Sequence, residues 1–371
     1  MDKKAELVSA IDEAKENLKK PKKSLAEQLR KKYGQNSFKN IFDDDPLEIV
    51  ETGCLSLDYV SGVGGFPRGM NVVLEGLPSA GKTEIALDWA KEFLLKYKTQ
   101  KVYFIDVENR LRKDRVLLRG IPLERFDIGR TAKAEKVFDI MCDIIRAKEH
   151  GTIIVDSIAM LISSAEFEKD LEDQSKPGTQ GKSLNMGFRK LGEVMMEEGS
   201  KCINLFINHQ MAAFGAKQWE PKTIAKSGFA PKYLSSFTVE VERMMGKERI
   251  TTDSTGTQVG NDIKLISRKN SLSHIQFRKA SFHLNYSTGP VLSSELYNLG
   301  TGYGLIERIG RSTYTITTGT DRLDVKGYDN LINVLDNDQE IISSLTERIK
   351  EKIKNKELTK DLENESLEEG E

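Results

Sequence analysis

The sequence predicts an α/β fold built on a mostly parallel central sheet, and three features carry that expectation. Short runs rich in β-branched residues (Val72–Leu74, Val102–Ile105, Ile153–Val155 and Ile203–Ile207) are apolar throughout rather than alternating. Longer stretches with helical spacing lie between them, at Glu84–Tyr97, Ala134–Lys148 and Leu184–Met196. A glycine-containing turn, Gly76–Thr83, joins the first run to the first of those helices. Continuously apolar strands must be covered on both faces, and crossover helices supply that cover.

The remaining elements follow in order. Residues 1–23 are an N-terminal extension, with Leu7, Ile11, Ala14 and Leu18 at helical spacing until lysines 19, 20, 22 and 23 and Pro21 interrupt it. Residues 24–50 predict an amphipathic helix over Ser24–Lys32, ending near Gly34, and then a linker at Phe42–Pro46. The core is expected over 51–288. Its last runs, Phe237–Glu242, Ile263–Ser267 and Ala280–Leu284, have little helix between them and predict strands that extend the sheet, with antiparallel pairing open to them. Gly289 and Pro290 mark a boundary. Residues 289–356 then predict a small α/β domain: a helix at Ser293–Gly300, a hairpin around Tyr314–Ile316 and a charged helix from about Asp338 to Lys356. An acidic tail, 357–371, closes the chain.

Composition excludes several classes. No run approaches the ~20 apolar residues that a membrane span needs, and the first twenty residues are too charged for a secretory signal. Cys54, Cys142 and Cys202 form no metal spacing and suit a reducing cytosol, so a cytoplasmic protein is expected. The net charge of −1 balances 56 basic against 57 acidic residues. That near-neutrality hides a polarity between a lysine-rich start and an acidic end, and does not exclude nucleic acid as a partner.

The sharpest motif is Gly76-Leu77-Pro78-Ser79-Ala80-Gly81-Lys82-Thr83. Glycines let such a loop adopt positive φ and turn backbone N–H groups onto phosphate oxygens. Lys82 supplies charge to the β- and γ-phosphates, Thr83 a hydroxyl for Mg²⁺, and the following helix its positive N-terminal end. Two other strand ends bear carboxylates: IIVDS places Asp156 where P-loop enzymes hold Mg²⁺ through water, and FIDVE places Glu108 where it can act on the attacking water. Taken alone, Glu108 reads as an ordinary surface carboxylate.

With these residues assembled, the chain resembles the RecA family. Thr52–Asp58 (TGCLSLD) followed by Gly62–Gly69 (GVGGFPRG) resembles the family's lead into its P-loop. IDVEN, IIVDS and LFINH resemble its next three strand ends in the right order, and SGFAPKYLSS the close of its second DNA-binding loop. The likeness runs from about Glu27 to Lys356. It implies a RecA-like P-loop ATPase core with an N-terminal helical arm and a small C-terminal α/β domain. It further implies ATP and Mg²⁺ as cofactors, and self-association into a helical filament on single-stranded DNA that pairs with homologous duplex DNA.

The resemblance also implies residue roles. Glu108 becomes the base for hydrolysis and Asp156 the magnesium carboxylate. His209 takes the place where most bacterial members carry a glutamine that senses the γ-phosphate. Arg115 falls where the family stacks a tyrosine on adenine; a guanidinium can stack on a purine as well. Arg268 and Lys269 fall near two family lysines that reach the neighbouring subunit's ATP. Glu166–Lys182 and Gln210–Lys226 match the two DNA-binding loops in position, which gives Lys182, Arg189, Lys226, Ser227 and Gly228 as DNA contacts, with Phe214 and Trp219 as residues that wedge or stack between bases. Phe38 and Ile41 would dock the arm on a neighbour. The departures at Arg115, His209 and Asn270 leave open a paralogue that loads or regulates another recombinase, and the shared core leaves open a RecA-fold helicase.

Overall fold

The computed structural model describes residues 25–34, 46–168, 179–212, 223–225, 230–246, 249–252, 254–319 and 321–355. The extension 1–23, Phe38, Ile41, most of the linker and the acidic tail lie outside them. A first helix, α1 (Leu25–Tyr33), stands one residue from its expected bounds.

A parallel sheet forms the centre. Strand β3 (Asn71–Gly76) lies between β7 (Ile203–Ala212) and β9 (Phe237–Arg243); beyond β7 come β6 (Thr152–Asp156), β4 (Val102–Asp106) and β5 (Phe126–Gly129), all parallel. On the other side β9 pairs antiparallel with β11 (Gln258–Asn270), which pairs with β12 (Lys279–Asn285) and carries the short strand β10 (Ile250–Thr252). The expected extension of the sheet is therefore antiparallel from β11 outward, while β9 joins the parallel set. Gly289 and Pro290, read as a domain boundary, form the last strand of this sheet, β13, against β12. A separate pair, β1 (Ile49–Val50) and β2 (Phe66–Pro67), closes the segment before β3.

Alternation along the strands sorts their side chains onto two faces. Val72 and Leu74 pack with α3 (Lys82–Lys96), whose Ile85, Trp89, Ala90 and Phe93 are fully buried there. Val73 and Phe206 point the other way, into a cluster with α5 (Ala134–Arg146) and α7 (Thr179–Glu197). Each such large side chain contributes roughly 1.5–3 kcal/mol by leaving water, so the two clusters pin both helical layers to the sheet. The intervening helices α4 (Lys113–Leu118) and α6 (Ser164–Phe167) are short.

The stretch Thr52–Asp58 is a buckle. Asp58 accepts the Thr52 N–H at 2.9 Å and its hydroxyl at 2.7 Å, closing the turn into α2 (Leu55–Ser61). The buried Glu295 carboxylate accepts the Ser56 N–H at 2.7 Å and the Cys54 thiol at 3.1 Å. Glu295 lies on α9 (Leu292–Gly302), so this motif clamps the C-terminal region to the core.

That C-terminal region is α/β, as expected, with two refinements. The hairpin is a three-stranded antiparallel sheet, β14 (Ile306–Ile309), β15 (Thr313–Thr318) and β16 (Asp321–Lys326). The charged helix expected from Asp338 is α11 (Gln339–Lys354), which Asp338 caps by accepting the Glu340 and Ile341 N–H groups, and a helix that was not expected, α10 (Tyr328–Asn337), precedes it. Leu296, Ile316, Leu331 and Leu345 continue the cluster beneath α3, so one core runs through both regions.

Candidate active site

Four strand ends converge at the carboxyl edge of the sheet, the place where ligands bind in open α/β sheets. The turn after β3 is held tight by its glycines. Gly76 has φ 156°, and a Cβ there would collide with the Val241 carbonyl; Gly81 has φ 90°, and its Cβ would stand 2.6 Å from a Leu284 methyl. Helix α3 starts at Lys82, so its free N–H groups face the turn. Ser79, Ala80, Gly81, Lys82 and Thr83 line a cavity of about 450 Å³ together with Glu84, Arg115, His209, Arg243, Gln258 and Tyr286.

Lys82 is nearly fully buried and donates to the carbonyls of Gly76 and Leu77 at 2.9 and 2.8 Å. Burial pushes its ammonium down to about 8, against the pull of Asp156 and Glu108. Thr83 donates its hydroxyl to Asp156 Oδ2 at 2.7 Å, joining the two candidate magnesium groups directly. Burial raises the Asp156 carboxyl, and the Thr83 hydrogen bond opposes that rise.

Glu108 is positioned by its neighbour two residues back. The buried Asp106 carboxylate, at the end of β4, accepts the N–H groups of Arg110 and Leu111 at 3.2 and 2.9 Å and so shapes the loop around Glu108. Glu108 Oε1 then accepts from Ser157 Oγ at 3.0 Å and pairs with His209 Nε2 at 2.8 Å, while Oε2 lies 3.0 Å from Arg110 Nη1. Burial pushes this carboxyl up, but the hydrogen bonds from His209 and Ser157 outweigh it and hold it below the ordinary carboxylate value. A carboxylate fixes the tautomer of its histidine partner, with the proton on Nε2; the buried Nδ1 has no partner.

Arg115 reaches the cavity tied to Glu84, and Glu84 in turn binds the buried Arg119, whose Nη1 also holds Asp88 at 2.6 Å. A chain of ion pairs therefore runs along the first turns of α3 and ends on the guanidinium that lines the cavity. Tyr286 lines the same cavity, donating its hydroxyl to Asn261 Oδ1 at 2.7 Å. Arg243 donates to Gln258 Oε1 at 3.1 Å. Sequence reading missed Tyr286, Arg243 and Gln258. They arrive from β9, β11 and the turn after β12, and no motif links them to the P-loop.

The other expected residues stand apart. Arg268 and Lys269 do not line this cavity: Arg268 Nε bonds Glu240, and Lys269 Nζ donates to the carbonyls of Lys232 and Tyr233 at 2.7 and 2.9 Å. Lys182 and Arg189 are exposed, two helical turns apart on α7, on the side opposite its buried Leu184, Phe188 and Leu191. The exposed Met186 lies between them. Phe214, Trp219, Lys226, Ser227 and Gly228 lie outside the described residues.

Comparison with known proteins agrees with this arrangement. The family model described as the RecA N-terminal domain matches residues 20–291. Among curated relatives, Protein RecA of Thermotoga maritima is 29% identical over 349 residues, covering 90% of this chain and 92% of the relative. Protein RecA of Saccharopolyspora erythraea is 29% identical over 328 residues, covering 88% and 90%. That of Brucella anthropi is 31% identical over 287 residues, covering 76% of each. Among the described residues, no helix is long and apolar enough to cross a membrane.

Proposed function

The chain belongs to the RecA family, and from that premise we propose that it is a DNA-dependent ATPase. In this reading it assembles as a helical filament on single-stranded DNA and pairs that strand with homologous duplex DNA in recombination and repair. The observation that carries the reading is the joined pair of networks at the strand ends: Thr83 with Asp156, and Glu108 with Ser157 and His209.

ATP and Mg²⁺ fit the residues present. The buried ammonium of Lys82 rests on loop carbonyls, where phosphate oxygens would be better partners for its charge. Thr83 and Asp156 offer a hydroxyl and a carboxylate side by side, the oxygen donors a hard cation takes. Magnesium held there would neutralise phosphate charge. The backbone N–H groups of Ser79–Thr83 and the Lys82 ammonium would hold the phosphates, and Arg115 and Tyr286, which line the same cavity, would meet the base. Glu108 Oε2, on the exposed Arg110 side, accepts a proton from the attacking water while Oε1 stays bound to Ser157 and His209. Because that carboxyl is held below its ordinary value, Glu108 acts as an orienting group as much as a base.

Lys182 and Arg189 would meet the phosphates of the first strand, with Lys226, Ser227, Gly228, Phe214 and Trp219 from the second loop. Arg268 and Lys269 would serve the neighbouring subunit's nucleotide after leaving their present partners, an exchange that would tie hydrolysis to assembly.

The test is ATP hydrolysis with and without single-stranded DNA, beside a Glu108→Gln variant, followed by strand exchange between a circular single strand and a linear duplex. Stimulated hydrolysis lost in the variant, together with exchange, supports the proposal. Nucleotide binding without stimulated hydrolysis overturns it in favour of a regulatory paralogue.

A further inference from the structure

The end of β7 divides two environments. His209 faces the α3 side and joins Glu108, whereas Asn208 and Gln210 continue the face of Phe206, toward α7. On that face Asn208, Glu75 and Glu240 stand in one row across β7, β3 and β9, paired in register. All three are deeply buried, with Asn208 at 0%, Glu75 at 1% and Glu240 at 4% exposure, and Gln210 beside them is at 5%. Glu75 Oε2, Gln210 Oε1 and both polar atoms of the Asn208 side chain have no hydrogen-bond partner.

Two cations close the row from its rim. Lys232, on the short helix α8 (Ala230–Leu234), lies 3.7 Å from Glu75 Oε1, and Arg268 of β11 bonds Glu240. The Gln210 amide on the same face favours the charged form of the Glu75 carboxyl, against the burial that raises it. The Gln210 backbone pairs with Ala225 at the foot of the hairpin formed by β7 and β8 (Thr223–Ala225). Glu75 thus touches the strand that leads into the 210–226 stretch and the helix that follows it. It is also the residue directly before Gly76, whose carbonyl holds Lys82.

We infer that Glu75, through Gln210 and Lys232, is a positioning residue that transmits occupancy of the 210–226 stretch to the P-loop and so makes ATP hydrolysis respond to DNA. The inference rests on the proposed function and names the link inside it. Glu75 is joined directly to Gly76, whose carbonyl accepts from Lys82, so a displacement of the Glu75 backbone reaches that carbonyl across one residue. A pull on Lys232 or Gln210 is therefore felt at the carbonyl that receives Lys82. Unpartnered amide and carboxylate atoms in the same row leave it room for a second bonding arrangement, which a link between sites requires.

The experiment uses the full chain, its Glu75→Gln and Lys232→Gln variants and the double variant. Hydrolysis is measured with no DNA and with saturating poly(dT), and poly(dT) affinity by fluorescence anisotropy. Each single variant is expected to keep its DNA-free rate, its KM for ATP and its poly(dT) affinity within about twofold, while the stimulated kcat falls roughly 5- to 100-fold. The double variant should lose no more than the worse single one, since both changes break one link. Unchanged stimulation, equal loss of the DNA-free and stimulated rates, or additive losses would each overturn the inference. If the unaltered chain is not stimulated, the proposed function fails and this link with it; if it is stimulated and the variants match it, the link alone fails.

Discussion

The two faces of β7 differ in how completely their polar groups are bonded. On the α3 side, Lys82, Thr83, Asp156, Glu108 and Ser157 are each held by at least one hydrogen bond of 3.0 Å or less, and His209 is held through Nε2 with only its buried Nδ1 unpaired. On the α7 side, Asn208 has no partner for either polar atom, and Glu75 and Gln210 each leave an oxygen unpaired. A bonded network is stiff and stays arranged for one reaction; a buried row with open donors and acceptors is costly and is ready to rearrange. The molecule thus pairs a preset chemical site with an unsettled polar layer only one residue away along the chain.

The largest expected effect lies on the bonded side. Glu108→Gln should keep the shape and ATP binding, yet lower the hydrolysis rate by about 10²- to 10⁴-fold, the usual contribution of a positioned base; single-turnover rates would show it. A fall of only a few-fold would make the Glu108 network a scaffold and erase the contrast with the opposite face.

Next comes pH. The Lys82 ammonium is depressed to about 8 by burial, so its charge is present below that value and lost above it. Phosphate attracts only the charged form. Affinity for a non-hydrolysable ATP analogue should therefore be level below about pH 8 and fall by about tenfold for each further unit, as binding that needs one proton does. A titration calorimetry series reads this, and proton uptake on binding should appear near the same pH.

A smaller effect separates the faces directly. His209→Ala should lower DNA-free and DNA-stimulated hydrolysis together, because it removes a hydrogen bond from Glu108. Gln210→Ala, one residue on, should spare the first and lower the second by roughly 5-fold or more. Matching behaviour in both would mean that β7 does not separate the two roles.

The smallest expected changes are on α7. Lys182→Ala and Arg189→Ala should each weaken single-stranded DNA binding several-fold, and each should reduce the slope of log affinity against log salt by about 0.7, the value for one contact to single-stranded phosphate. Hydrolysis at saturating DNA should be unaltered. An unchanged slope would remove this helix from the DNA surface.

What the sequence determined by itself was local in origin. The apolar runs, the helical spacings and the Gly76–Thr83 turn each depend on residues within a few positions of one another, so the parallel core, its helices and the P-loop were legible to within a few residues. Asp156 and Glu108 were legible because each ends or follows a recognisable strand. Tertiary structure decided the rest. It paired Glu84 with Arg115, brought Tyr286, Arg243 and Gln258 to the cavity from more than 150 residues along the chain, and made Gly289 and Pro290 a strand where a boundary was expected. It also set Glu75 beside Asn208 and Glu240. A glutamate at the end of a strand reads as solvent-facing until its neighbours are known, and only strand order and register, which depend on the packing of the whole chain, place three such polar residues in one buried row.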